Sequence, residues 1–182
     1  MTIEHTPLKD CYIIKPRVIE DSRGYFFEAY NKKSVQGTVL ENYDWVQENE
    51  SRSDQGVLRG LHFQKGEYSQ AKLVRVLVGE VFDVAVDLRK DSPSFGKWHG
   101  VRLNDRTKTQ FLVPSGFAHG FLVLSDFAIF SYRCDNYYAP EADSGIIFND
   151  ANLAIDWPVL KTPYRLSDKD KGLPTFEKCY KF

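Results

Sequence analysis

What this sequence has little of narrows its class before any motif is read. Cysteine is scarce: Cys11, Cys134 and Cys179 are odd in number, far apart and form no CxxC pair. That excludes a disulfide framework and a zinc-finger pattern, and three free thiols fit a cytoplasmic protein. Long apolar runs are missing, so no segment approaches membrane-spanning length, and "MTIEHTPLKD" lacks the apolar core of a secretory signal. A surplus of charge of one sign is missing as well. With 24 Lys and Arg against 25 Asp and Glu the net charge is −1, which argues against nucleic acid or an anionic membrane as main partner. Any anionic ligand must be met by local Arg and Lys. No repeat, low-complexity tract or Gly/Ser linker divides the chain, so residues 1–182 read as a single domain.

What is present is aromatic and β-prone. Phe, Trp and Tyr make up 14% of the residues, a share that suits an all-β core and also a pocket that stacks a planar ring. Short strand-like segments recur between turns such as "DSRG", "SDQG", "KDSPSFG" and "LNDRT". In "VFDVAVDL" Phe82, Val84, Val86 and Leu88 share one face and Asp83 and Asp87 the other. "QFLVP", "FAHGFLVL" and "FAIFSYRC" follow at hairpin spacing, and helix is predicted only in short pieces, around "NKKSV" and near the C-terminus. Many short strands with close turn signals predict an all-β sandwich or jelly-roll barrel.

Strand parity then separates inward from outward polar residues. His119 shares parity with Phe117, Phe121 and Val123, and Tyr132 with Ala128 and Phe130. Gln47, Asn49 and Ser51 line one face of "WVQENES", and Lys72 opens "KLVRVLV". "VLRGLHFQ" reads as a buried strand, yet it carries Arg59 and His62, three apart and therefore on opposite faces of a regular strand. Gly60 between them could mark a bulge that turns both to one side. Buried without partners such groups cost several kcal/mol, so they must be paired or used.

Each residue also has an ordinary reading. His119 could be a hydrogen-bonded core histidine, Tyr132 a core ring with its hydroxyl at the surface, and Lys72 a snorkelling strand start. Gln47 and Asn49 could satisfy one another, and Arg59 could form a surface ion pair. The functional reading rests on several such placements coinciding. A metal is not expected: the position two after His62 is Gln64, a poor ligand, and His5 and His99 are read as lying outside the inward-facing strands.

"VLRGLHFQ", "QAKLVRVLVGEVFDVAVDLRKDSPSFGKW", "VPSGFAHGFLVLSD" and "LSDKD", with "DSRGYFFEAY" and "VQENESRS", together resemble the dTDP-4-dehydrorhamnose 3,5-epimerases over nearly the whole chain. The resemblance implies a cupin-like jelly roll, a homodimer, and no metal or organic cofactor. It implies a substrate, dTDP-4-dehydro-6-deoxy-D-glucose, inverted at C3 and C5 beside the C4 ketone. It implies roles as well. His62 takes protons, Tyr132 returns one from the opposite side, Asp170 orients His62, and Lys72 stabilises the enolate oxygen. Arg59 and His119 fall close around the sugar. Arg23, Glu28 and the stretch Gln47, Glu48, Asn49 match nucleotide-binding positions. Phe26 counts among the substrate contacts, and Tyr138 matches the ring that stacks on thymine. Asp143 and Lys169 align with further substrate contacts. Asp168 competes with Asp170 for His62, Arg23 and Glu28 could form a plain surface pair, and Tyr138 could pack beside Pro140. Glu50 and Asp143 stand where other side chains are also common. A single-site epimerase on a related nucleotide sugar and a non-catalytic nucleotide-sugar-binding cupin stay open as alternatives.

Overall fold

In the computed structural model, which describes residues 1–182, the β-prone segments form thirteen strands. They are β1 (Thr2–His5), β2 (Tyr12–Lys15), β3 (Ile19–Asp21), β4 (Gly24–Phe26), β5 (Gln47–Asp54), β6 (Leu58–Gln64) and β7 (Lys72–Val78). Then come β8 (Glu80–Asp87), β9 (Trp98–Asn104), β10 (Gln110–Val113), β11 (Phe117–Val123), β12 (Phe127–Cys134) and β13 (Asp143–Gly145). The only α-helix is one turn, α1 (Asp168–Lys171), capped by Ser167 Oγ on the Asp170 N–H.

Two antiparallel sheets carry the fold, β1-β2-β10-β7-β12-β5 and β13-β6-β11-β8-β9, with β3 and β4 standing apart as a hairpin. Between the sheets lies an apolar core that includes Val74, Val76, Val81, Phe111, Phe121 and Phe130, the last two stacked at 4.2 Å. Both outer faces are covered as well. The C-terminal segment lays Leu153 and Trp157 over Phe63, Val84, Val86 and Leu122, while Val35 and Leu40 cover Ile14, Leu73 and Leu112. The apolar parity set of β8 therefore faces the C-terminal segment. The opposite set, which includes Asp83 and Asp87, faces the space between the sheets and is fully buried.

Two expected elements differ. "NKKSV" is not helical: residues 32–37 form turns, and a 3-10 turn follows at Val39–Asn42, capped by Thr38. Val35 is instead a buried plug. The strand in "YFFEAY" stops at Phe26, and its hairpin leaves Ile19, Tyr25 and Phe26 53%, 57% and 69% exposed.

At Gly60 the strand does something a regular pleat cannot. β11 and β6 pair His119 with His62 and Phe121 with Arg59, so β6 has one residue more than its partner across this step. Gly60 sits at φ +128°, and a Cβ there would meet Gly120 Cα at 2.6 Å, so neither side-chain size nor ordinary L-residue backbone is tolerated. The extra residue puts Leu58 and Leu61 together under the C-terminal cover and leaves Arg59 and His62 on the other face.

Candidate active site

Arg59 is not buried, contrary to expectation: it is exposed, and its Nε donates to Ser53 Oγ at 2.9 Å. His62 is half-buried and has a partner. Its Nε2 lies 2.7 Å from Asp170 Oδ1. Asp170 is 3% exposed, and its Oδ2 accepts the Gly60 N–H at 3.3 Å. Burial alone would raise its carboxyl, but the hydrogen bond and charge of His62, with the Gly60 N–H and Ser167, hold it below the usual carboxylate range. Asp168 is fully exposed and pairs with Lys171 at 2.9 Å. A carboxylate on Nε2–H fixes the tautomer, so the lone pair sits on Nδ1, which has no partner in the chain.

Across the cavity stands Tyr132, on the other sheet, opposite Asn49 of β5 and Val74 of β7. Burial pushes its phenol up, and the Cys134 thiol adds to that, while Arg59 and Asn49 pull it part-way back. The hydroxyl is therefore held protonated. Lys72 Nζ lies 6.0 Å from the Tyr132 ring centroid. Burial lowers the Lys72 ammonium, and the nearby acidic groups Cys134, Asp83 and Asp143 only partly offset it. His62, Lys72 and Tyr132 line one cavity of about 340 Å³ with Gln47, Asn49, Phe63, Gln64, Gln70, Tyr138, Asp143 and Lys169. A base, an acid and a desolvated cation thus face one space, base and acid from opposite walls. Such a set can move a proton off one side of a carbon and return it on the other.

Comparison with known proteins gives this constellation a family. The sequence model of the family described as dTDP-4-dehydrorhamnose 3,5-epimerase matches residues 5–178. The chain belongs to the dTDP-4-dehydrorhamnose 3,5-epimerase family. It is 51% identical to the dTDP-4-dehydrorhamnose 3,5-epimerase of Escherichia coli over 97% of this chain and 95% of the relative. The crystal structure of the Elizabethkingia anophelis dTDP-4-dehydrorhamnose 3,5-epimerase superposes with a TM-score of 0.90 at 52% identity, covering 99% of both chains. The Legionella pneumophila dTDP-6-deoxy-D-glucose-3,5-epimerase, solved in complex with dTDP-4-keto-L-rhamnose, gives 0.93 at 46% identity, covering 97% of this chain and 93% of that one. The fold is accordingly the cupin-like sandwich of these epimerases.

Not every residue that the epimerase resemblance points to reaches the cavity within one chain. Arg23 is mostly exposed and pairs with Asp21, not with Glu28. Phe26 lies open on the hairpin, and Glu28 accepts from Asn31 Nδ2 at 2.8 Å beside a separate cavity that Arg17 and Gln110 also line. Glu48 is on the far face of β5 from Gln47 and Asn49, bonded to Ser131 and Arg133. Period-2 alternation forces that separation, so the stretch 47–49 cannot act as one surface. Gln47 donates to Asn49 Oδ1 at 2.9 Å, so these two do satisfy each other while lining the cavity.

His119 lies just behind the epimerase-family cavity, buried and stacked on Phe130, with Nε2 2.8 Å from Asp83 Oδ1. Asp83 Oδ2 is buried with no partner. Sequence reasoning passed over Asp83, although the inward parity of its strand neighbours Val81 and Ala85 was the available signal. It also placed His99 off the inward-facing strands. His99 is on β9, in line with Ala85 and then His119, and its ring meets Phe111 edge-on. Nowhere do three or more His, Cys, Asp or Glu side chains converge as a metal would need. Gln64 and Gln70 were missed as wall residues, and Cys134, buried, stands opposite Lys72 and Gln47 in register.

Proposed function

We propose that this chain inverts C3 and C5 of dTDP-4-dehydro-6-deoxy-D-glucose, giving dTDP-4-dehydro-L-rhamnose. The observation that carries the reading is the opposition of the His62–Asp170 pair and the protonated Tyr132 across one cavity that Lys72 also lines. Both carbons flank the C4 ketone, so removing either proton sends the C–H electron pair into the carbonyl and makes an enolate. His62 Nδ1 takes the proton, and Asp170 stabilises the imidazolium. Lys72 stabilises the oxygen anion, a task favoured by a fixed charge in a dry site. Tyr132 gives its proton to the opposite face of the carbon, and solvent restores both side chains. No electrons are gained or lost overall, so the reading calls for no redox cofactor, and Lys72 fills the place of a Lewis acid.

The remaining parts of the reading concern binding and assembly. Tyr138 offers its ring to the thymine, Arg59 and His119 stand close around the sugar, and Asp143 and Lys169 make further substrate contacts. Arg23, Phe26 and Glu28 are supplied by a second copy, so the working unit is a homodimer of single-domain chains, each 1–182. No helix is long and apolar enough to cross a membrane. With a net charge of −1, a cytoplasmic enzyme that needs neither membrane nor nucleic acid is the consistent setting. Incubation with the ketosugar in D2O tests the activity. Deuterium at both carbons with inversion is the expected result. Label at one carbon would make the chain a single-site epimerase, and none at all would make it a binder.

A further inference from the structure

We propose that Gln64 is a positioning residue, one that sets the ring of Tyr138 at the cavity mouth by gripping the backbone on both sides of it. The inference rests on the nucleotide-sugar reading, in which Tyr138 is the surface for the base. Gln64 is two residues beyond His62, where a metal-binding barrel would place a second histidine. Here its side chain is 4% exposed and every one of its polar contacts is to backbone. Oε1 accepts the Ala139 N–H at 2.6 Å, and Nε2 donates to Tyr137 O at 3.0 Å and to Tyr68 O at 2.7 Å. One amide thus pairs with the peptide groups just before and just after Tyr138, as a neighbouring strand would.

The ring itself needs such a grip. Tyr138 is 54% exposed, so packing does little to fix it. Its backbone N–H reaches Gln47 Oε1 at 3.1 Å, and its hydroxyl reaches Asp143 Oδ2 at 3.3 Å. Gln64 therefore links the strand that carries the base to the loop that carries the ring, and holds the ring ready before a ligand arrives. A surface fixed in advance spares the ligand the entropy of ordering a loop, so the gain is in affinity.

The test measures dTDP affinity by calorimetry, and KM and kcat with the ketosugar, in two Gln64 variants. Gln64→Met keeps the shape and removes every bond; Gln64→Glu keeps the acceptor for Ala139 and removes both donors. The expected result in either folded variant is a Kd for dTDP and a KM raised about tenfold, with kcat within about threefold of the parent. Tyr138→Ala should weaken dTDP binding too, and adding a Gln64 substitution to it should cost nothing further. A folded Gln64 variant with parental dTDP affinity, or losses that add in full in the double variant, would overturn the proposal. If the unaltered chain binds no dTDP, the nucleotide-sugar reading itself falls and takes this proposal with it.

Discussion

In the proposed mechanism four side chains, His62, Tyr132, Lys72 and Asp170, carry the chemistry, and each can be removed without removing the others. Tyr132→Phe keeps the ring in its packed position beside Phe130 and deletes only the acid. Exchange of substrate protons with D2O should persist through His62, while inversion falls by roughly 10²–10⁴, the usual weight of a general acid. Inversion at the parental rate would assign Tyr132 to packing alone. His62→Ala should end exchange at both carbons. Asp170→Asn should slow turnover less than that, because it disturbs the tautomer and leaves the ring. Asp168→Asn should be silent, since Asp168 is fully exposed on the outside of its turn. A crippling Asp168→Asn with a silent Asp170→Asn would reverse the assignment. Lys72 gives a pH signature. Its ammonium is the active form and burial lowers its pKa, so activity should fall, as pH rises, below the ordinary lysine value of about 10.4. Lys72→Arg, which stays protonated, should shift that alkaline limb upward if it retains activity; an unmoved limb would point to another group.

At the scale of the element, the site depends on one irregularity in β6. A regular strand would turn Arg59 and His62 to opposite faces, and the extra residue at Gly60 turns them to the same one. Gly60→Ala would push a methyl onto Gly120 Cα and demand a left-handed φ from a residue that resists it. The expected cost is about 1–3 kcal/mol of stability, read by urea denaturation, with a loss of kcat greater than the unfolded fraction explains. An alanine variant of full stability and activity would show that the step in β6 does not need glycine. α1 works on the same principle in miniature. A single turn, capped by Ser167, holds Asp170 against His62, while Lys169, the residue just before it, pairs with Asp143.

At the scale of the whole molecule, the hairpin β3–β4 stands apart from both sheets and exposes Ile19, Tyr25 and Phe26. Apolar side chains on an arm of this kind call for a partner surface, and the arm carries Arg23 while Glu28 follows directly after it. Light scattering at working concentration should therefore find a homodimer. Mixing Glu28→Ala chains with His62→Ala chains should restore part of the activity, because one mixed site then has both residues intact. A fully active monomer would refute the shared site.

Much of this was legible in the sequence, because alternation with period 2 is a local property. It determined the strands that carry the site, the inward direction of His119 and Tyr132, and the common face of Gln47, Asn49 and Ser51. The ordered motifs supplied the family. Alternation says which residues share a face and not what that face meets. The sequence therefore left open that the apolar face of β8 lies under the C-terminal segment and its Asp83 face between the sheets. Whether a glycine inserts an extra residue into a ladder depends on its partner strand, and only the pairing of β6 with β11 decided that Arg59 and His62 share a side. The resemblance named Asp170 rather than Asp168, but why it is Asp170 shows only where the helix turn lies against β6, and the task proposed for Gln64 needed a loop some seventy residues away. These are contacts between segments distant in the chain, and they exist only where the packing of two sheets brings the segments together.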